Sequence, residues 1–149
     1  MEIKIETASM RMLDKLSEIE DQCFDQEAFS KQQIAYLLTN YNTIALVARA
    51  DNEVVGFIIT QIEIESDKLF GHIITLNVPP IYRRKGIGSK MLKEIEEILK
   101  QKGIVECQLE VREDNSIALK LYQNRGYQKM GKLENYYGKK HGLYLKKTL

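Results

Sequence analysis

The chain has 149 residues, with 22 basic and 21 acidic side chains, and a formal net charge of +1 at pH 7. Proteins that bind duplex nucleic acid usually carry a clear surplus of positive charge, so this balance argues against that class. No apolar run approaches the length of a membrane span, and the N-terminus lacks the basic and apolar segments of a secretory signal. We therefore expect one cytoplasmic domain, residues 1–149, without membrane or nucleic-acid partners.

The cysteines and histidines of the sequence indicate neither a disulfide nor a metal site. Cys23 and Cys107 lie far apart and form no C-x-x-C motif, which favours reduced thiols over a disulfide. The only histidines are His72 and His141, without an H-E-x-x-H motif or a cysteine cluster. The sequence therefore gives no indication of a metal site.

Hydrophobic periodicity predicts the elements of the N-terminal half. A short strand over residues 2–6 is followed by a helix that Ser9 can cap. Ser30 opens a second, shorter helix, which ends near residue 40. Apolar runs then predict three strands, of which the first two form a hairpin: 43–50, 53–65 and 69–78.

The C-terminal half alternates helices with strands. A third helix from about 86 to 102 has an apolar stripe, and its polar residues, Glu96 among them, are expected to face water. A buried strand follows at 105–111, and then a fourth helix that begins at Asn115 and is closed by Gly126. Two last strands, 127–133 and 141–148, are separated by a loop. The order β-α-α-β-β-β-α-β-α-β-β predicts a mixed α/β sheet whose strands on either side of the third helix are parallel.

A turn with two close glycines, Gly86 and Gly88, joins the strand ending at Val78 to the third helix. Glycine lets backbone N–H groups approach an anion, and the first turn of a helix adds free donors and the positive end of its dipole. The Walker A pattern is absent, and the dinucleotide fingerprint fails at Met91, where its third glycine or alanine would stand. The turn predicts a phosphate site of another kind, and a plain glycine turn is the alternative.

Several motifs resemble the GCN5-related N-acetyltransferases (GNAT). The run R-R-K-G-I-G, residues 83–88, fits the R/Q-x-x-G-x-G/A loop that cradles the pyrophosphate of acetyl-CoA in that family. The segment from Leu109, L-E-V-R-E-D-N-S-I-A-L-K-L-Y-Q-N-R-G-Y, and the later N-Y-Y resemble the RimI-like ribosomal-protein and N-terminal-peptide α-amino acetyltransferases. The resemblance covers nearly the whole chain. It implies the GNAT fold, a mixed, mostly antiparallel sheet of about seven strands with a central parallel pair and about four flanking helices.

The resemblance implies acetyl-CoA as cosubstrate and names its binding residues. Backbone groups of Leu76, Asn77 and Val78 would hold the pantetheine arm and acetyl carbonyl, although Asn77 stands where the family usually has alanine. Asn115 would both cap the fourth helix and contact the coenzyme. The pyrophosphate would lie on the basic glycine loop, which consists of Arg83, Arg84, Lys85, Gly86, Ile87, Gly88 and Ser89. The alternative for its three cations is that they form a solvated basic turn without a ligand.

The resemblance also assigns proton transfers. Acetyl transfer to an amine needs a neutral nucleophile and a proton for the departing thiolate. Glu110 matches the family's proton acceptor, and Tyr122, twelve positions later, matches the tyrosine that protonates the coenzyme A sulfur. The alternative for Glu110 is a solvated carboxylate on a strand, and the alternative for Tyr122 is an aromatic side chain of the core. His72 matches a histidine with a catalytic or water-positioning role in the N-terminal acetyltransferases. A structural role, in which the imidazole is only hydrogen-bonded, is an equally open alternative.

The resemblance further implies that Glu27, between the first two helices, and Tyr136 and Tyr137, in the last loop, contact the acceptor. The predicted function is direct transfer of acetyl to a protein N-terminal α-amine in a ternary complex, with Glu110 as base and Tyr122 as acid. Ribosomal proteins are candidate targets, and we expect a monomer or a weak homodimer. One alternative is acetylation of a small amine such as a polyamine. A non-catalytic acyl-CoA-binding subunit is a less favoured one.

Overall fold

The computed structural model describes residues 2–24 and 26–149, and within them seven strands form one sheet flanked by four α-helices. The strands are β1 (Ile3–Thr7), β2 (Thr43–Ala50), β3 (Glu53–Glu65), β4 (Lys68–Asn77), β5 (Glu106–Arg112), β6 (Gln128–Tyr137) and β7 (Lys140–Thr148). The helices are α1 (Leu13–Cys23), α2 (Lys31–Thr39), α3 (Ile87–Gln101) and α4 (Ser116–Asn124). Of the described helices, none is long and apolar enough to cross a membrane.

The sheet has the strand order β1-β2-β3-β4-β5-β7-β6. Its neighbouring strands are antiparallel except β4 and β5, which are parallel. Parallel neighbours need a crossover connection, and α3 with its 15 residues supplies it. The predicted element order, the mixed sheet and its central parallel pair are confirmed.

The parallel pair is short, and this shapes the molecule. Only residues 71–73 of β4 pair with residues 107–109 of β5 in the described sheet. On its other side β4 pairs with β3, and the register shifts between Ile59 and Thr60, so that Ile74 bulges out of the ladder. A bulge bends its strand and increases the local twist. Beyond residue 73 the end of β4 therefore separates from β5.

Apolar side chains pack on both faces of the sheet. On one face Met91, Leu92 and Leu99 of α3 are fully buried. Gly71 of β4 permits this close approach, since a Cβ at that position would lie 2.5 Å from Leu99 Cδ1. On the other face α1 and α2 pack over the β2 and β3 side of the sheet.

Three local predictions were wrong. Ser9 makes no side-chain cap hydrogen bond in the described structure, because a short 3₁₀ helix, Met10–Met12, follows it and α1 begins only at Leu13. Tyr136 and Tyr137 are the last residues of β6 rather than part of a loop, since β6 continues to a tight turn before β7. The third, Glu96, is buried.

Glu96 is 3% exposed although it lies beside polar neighbours in the sequence of α3. Its Oε1 accepts hydrogen bonds from Arg125 Nη2 at 2.6 Å and from Lys147 Nζ at 2.8 Å. Its Oε2 accepts from the Tyr127 hydroxyl at 3.0 Å. A buried carboxylate is stable when cations and donors surround it, and these come from the segment between α4 and β6 and from β7.

Candidate active site

A cavity of about 230 Å³ opens where β4 and β5 separate. Its walls are the ends of these two strands, the first turns of α4, the end of α1 with the loop after it, and the end of β6. Seven residues predicted for the site line it: Glu27, Leu76, Glu110, Asn115, Tyr122, Tyr136 and Tyr137. The fold thus gathers the predicted base, the predicted acid and the three predicted acceptor contacts around one space. The other predicted residues, His72, Asn77, Val78 and 83–89, lie outside its lining.

The glycine loop lies at the N-terminus of α3. Gly86 has a φ of +76°, a left-handed conformation that glycine adopts without steric penalty. A Cβ at Gly86 would meet no described atom within 4 Å, so its backbone faces open space. Gly88 is close to α4, because a Cβ there would lie 3.1 Å from Leu121 Cδ2. The first-turn N–H groups and the positive dipole end of α3 therefore suit a diphosphate.

The three cations of the loop differ in their surroundings. Arg83 Nε donates to the Val78 carbonyl at 2.8 Å, so this guanidinium holds the segment that follows β4. Arg84 and Lys85 are exposed. They are the cations best placed to add charge to a phosphate site, while Arg83 also has a structural partner. Asn115 caps α4 as predicted, with its Oδ1 accepting from Ala118 N at 3.1 Å.

Asn77 lies at the end of β4, but its side chain is turned into the protein and is 1% exposed. Its Nδ2 donates to Glu20 Oε1 at 3.1 Å and to Thr75 Oγ1 at 2.9 Å. Thr75 Oγ1 donates to the same Glu20 oxygen at 2.9 Å, and Glu20 Oε2 accepts from Phe29 N at 3.2 Å. Burial raises the pKa of Glu20. The network ties α1 and its following loop to β4, and Asn77 serves it from a position outside the cavity lining.

Glu110 is the end member of a row of three polar side chains across β5, β4 and β3. His72 Nε2 lies 2.7 Å from Glu110 Oε1, and His72 Nδ1 lies 2.8 Å from Glu63 Oε2. Burial alone would lower the pKa of His72, but the hydrogen bonds and charges of the two carboxylates outweigh it and raise that pKa to about 9. Below this pH an imidazolium donates to both carboxylates.

Tyr122 projects from α4 into the cavity lining and is 6% exposed. Its ring packs edge-on against Tyr127, with 5.6 Å between the centroids. Burial raises the pKa of Tyr122, so its phenol stays protonated and remains a hydrogen-bond donor. It therefore has a core contact and also borders the cavity, and its role as the acid stays a prediction.

The end of the cavity that is expected to hold the acceptor is framed by an ion pair and two tyrosines. Arg112 Nη1 lies 2.8 Å from Glu27 Oε1, which joins the end of β5 to the loop after α1. The Arg112 hydrogen bond is the main reason that the pKa of Glu27 is lowered. Tyr136 and Tyr137 pack edge to face with their centroids 4.9 Å apart.

Sequence reasoning missed the site positions of Glu63, Arg112 and Glu20. Arg112 was part of the L-E-V-R motif, and Glu63 lies in a strand whose alternation leaves polar residues on one face. Neither pattern reveals a partner on another strand. The two cysteines also differ: Cys23 lines the cavity, whereas Cys107 is buried in the core, where burial raises its pKa to about 12.

The model of the Acetyltransferase (GNAT) family matches residues 10–127, so the chain belongs to this family. The structure of a PaiA N-acetyltransferase from Thermoplasma acidophilum in complex with coenzyme A has a TM-score of 0.83 and 25% identity, over 100% of both chains. The expected GNAT fold is thereby confirmed. The cavity and the glycine loop described above therefore lie in a protein that belongs to the GNAT family by sequence and by fold.

Within this family, the chain is similar in sequence to three curated proteins with different names. A spermidine N(1)-acetyltransferase of Thermoplasma acidophilum is 34% identical over 106 residues, 68% of this chain and 63% of that protein. An N-alpha-acetyltransferase of Sulfurisphaera tokodaii is 34% identical over 117 residues, 72% of this chain and 70% of that protein. A [ribosomal protein bS18]-alanine N-acetyltransferase of Salmonella typhimurium is 33% identical over 88 residues, 59% of this chain and 57% of that protein. The chain thus spans only part of the length of these relatives, and its resemblance to the N-terminal acetyltransferases is confirmed.

Proposed function

We propose that this chain is an acetyl-CoA-dependent N-acetyltransferase that modifies the α-amine of a protein or peptide N-terminus. The observation that carries the proposal is that Glu110 and Tyr122 line one cavity at the point where β4 and β5 separate. Similarity to two relatives named for α-amine or N-terminal alanine acetylation supports the choice of acceptor. An α-amine also has a reference pKa near 7.7–8.0, against about 10.4 for lysine, so a carboxylate base can neutralise it more readily.

The coenzyme would lie along the glycine loop and the end of β4. The first-turn N–H groups of α3 would bind the pyrophosphate, with Arg84 and Lys85 adding charge. Backbone groups of residues 76–78 would hold the pantetheine arm, and Asn115 would contact the coenzyme from the start of α4. Acetyl-CoA supplies the acetyl group as an activated thioester. The backbone of Gly86 is open on its Cβ side and so leaves room for the pyrophosphate of acetyl-CoA.

Glu110 would accept a proton from the acceptor ammonium, which frees the nitrogen lone pair for attack on the acetyl carbonyl. The nitrogen forms a C–N bond as the C–S bond breaks, and the electron pair of that bond leaves with the sulfur. Tyr122 would donate its phenolic proton to the departing thiolate. Of the two protons that the ammonium loses, one replaces the proton given by Tyr122 and the other goes to water.

A second acceptor class is favoured by a specific observation. The three carboxylates of Glu27, Glu63 and Glu110, at the expected acceptor end of the cavity or directly beside it, outnumber their two cationic partners, Arg112 and His72. The remaining negative charge suits an acceptor with a second cationic group. The 34% identical spermidine acetyltransferase points to the same class. The second candidate is therefore N-acetylation of a polyamine at the same cavity.

Thiol release with a mixture of N-terminal peptides and with spermidine would test both functions. In Glu110→Gln and in Tyr122→Phe we expect kcat/KM to fall about 100-fold or more, because each variant removes a proton transfer. Glu106→Gln is the matched control, since Glu106 lies on the same strand and pairs with Lys146 outside the cavity lining. Wild-type turnover by the double variant Glu110→Gln/Tyr122→Phe would contradict the mechanism. Turnover of spermidine without any peptide would select the polyamine function.

A further inference from the structure

Glu63 stands next to the site without lining the cavity, and no motif marks it. We propose that Glu63 is a positioning residue: it holds the His72 imidazole so that Nε2 faces Glu110, and it joins the three side chains into one proton-accepting unit. The proposal rests on the proposed acetyl transfer, since the unit would take up the proton that the acceptor loses.

The register of the sheet explains how the three side chains meet. His72 in β4 pairs with Gln61 in β3 and with Gln108 in β5. Glu63 and Glu110 each lie two residues further along their strands, and are therefore diagonal neighbours of His72 on the same face. Both imidazole nitrogens are thus occupied by carboxylate oxygens, at 2.8 Å and 2.7 Å.

The second carboxylate decides the tautomer of the neutral imidazole. A neutral histidine has one N–H donor and one acceptor nitrogen, and a carboxylate beside one nitrogen keeps the proton there. Once Glu110 has accepted a proton, Glu63 is the carboxylate that remains, so the imidazole proton stays on Nδ1 and the Nε2 lone pair faces the Glu110 O–H. Without Glu63, the Nε2–H tautomer could donate to Glu110, and that nitrogen could then accept nothing from it.

The proton balance follows from this arrangement. Glu110 takes a proton from the acceptor nitrogen, and its O–H passes that proton to His72 Nε2, which forms an imidazolium held by two carboxylates. Loss of this proton to water restores the unit. The side chain of Glu63 is 35% exposed, against 22% for His72 and 23% for Glu110, so the unit leads from the cavity toward solvent.

The groups around His72 set the pH at which the unit is ready. Glu63 and Gln61 face it from β3, Glu110 and Gln108 from β5, and the Phe70 ring lies 6.3 Å away on its own strand. Tyr144 of β7, Tyr136 and Tyr137 lie near Glu110 and add no positive charge. The two carboxylates therefore dominate, and they raise the pKa of His72 to about 9 against the opposing effect of burial. Removal of the Glu63 charge should lower it.

An NMR titration of the imidazole resonances tests the proposal without any assay of activity. The chain has two histidines, and His141 serves as an internal reference because its Nδ1 accepts from Asn135 N, away from the row. We expect the His72 midpoint of the wild type near pH 9 and a decrease of about one pH unit or more in Glu63→Gln. Glu63→Asp, which keeps the charge, should retain most of the upward shift.

Glu65→Gln is the matched control, because Glu65 lies two residues further along β3 and is exposed. We expect it to leave both midpoints unchanged. An unchanged His72 midpoint in Glu63→Gln would overturn the proposal, and so would an equal decrease in Glu65→Gln.

The pH dependence of kcat/KM adds a second readout. In Glu63→Gln the ascending limb should move to lower pH by the same interval as the His72 midpoint, while acetyl-CoA affinity measured by calorimetry stays that of the wild type. A limb that does not move would contradict the role in proton transfer. If the titration behaves as expected but no acceptor is acetylated, the proposed function fails and the positioning of His72 by Glu63 stands.

Discussion

The two parts of the proposed site present different chemistry to their ligands. On the proposed coenzyme side the glycine loop offers backbone N–H groups and a helix terminus, and its Arg83 side chain donates to the Val78 carbonyl of the chain itself. On the proposed acceptor side the groups that line the cavity are charged or aromatic side chains: Glu27, Arg112, Glu110, Tyr136 and Tyr137. A site built from main chain can keep one ligand while its side chains change. A site built from side chains changes its ligand with a few substitutions, so the acceptor is the part that relatives of one fold can vary.

The largest effect on acetyl-CoA affinity is expected where the backbone itself is changed. Gly86 and Gly103 flank α3, both have a φ of +76°, and a Cβ at either would meet no described atom within 4 Å. Alanine should therefore add a similar left-handed strain of about 1–2 kcal/mol at both positions. Only in Gly86→Ala do we expect acetyl-CoA affinity to fall, by about 30-fold, through lost hydrogen bonds to the phosphates.

Isothermal calorimetry with acetyl-CoA, together with urea unfolding, would separate the two consequences. Equal affinities of Gly86→Ala and Gly103→Ala would mean that the loop is a plain glycine turn.

A smaller effect should come from the exposed cations of the loop. In Arg84→Gln/Lys85→Gln we expect acetyl-CoA affinity to fall about fivefold at low ionic strength, as exposed charge pairs contribute about 0.2–1 kcal/mol each. At about 1 M salt the difference should nearly vanish, because the Debye length is then about 3 Å. Lys93→Gln/Lys102→Gln removes two exposed cations, one on α3 and one directly after it, and controls for net charge. A salt-independent loss would argue for a structural role of these side chains.

The smallest effect is expected at the ion pair on the acceptor side. In Glu27→Gln we expect KM for the acceptor to rise about threefold, since the partly exposed pair with Arg112 contributes roughly 0.2–1 kcal/mol to the position of the loop after α1. Affinity for acetyl-CoA should change less than KM. Asp114→Asn is the control, because it removes the other partner of Arg112 outside the cavity lining. Steady-state kinetics with a peptide and with spermidine would measure the change, and an equal effect of both variants would exclude a specific role for Glu27.

Features that depend on residues close in sequence were predicted well. Apolar runs predicted β2 and β3 to the residue, and the glycine loop was located because a turn and a helix start are local conformations. The helix start at Ser30 and the cap of Asn115 are local for the same reason. The motif around Glu110 and Tyr122 resembled a known family, and the cavity that both residues line agrees with that resemblance.

The remaining features depend on which strands and helices become neighbours. Glu96 was expected in water because a helical pattern contains no information about Arg125 and Lys147, which fold back over it. The position of Asn77 at the end of β4 was expected, but the sequence does not reveal the partner of its side chain, because Glu20 reaches it only when α1 packs against β4. Likewise, Glu63 meets His72 only through the pairing register of β3 with β4. Local periodicity determines an element and its apolar face, whereas a charge finds its partner through distances in space, and those exist only once the sheet has formed.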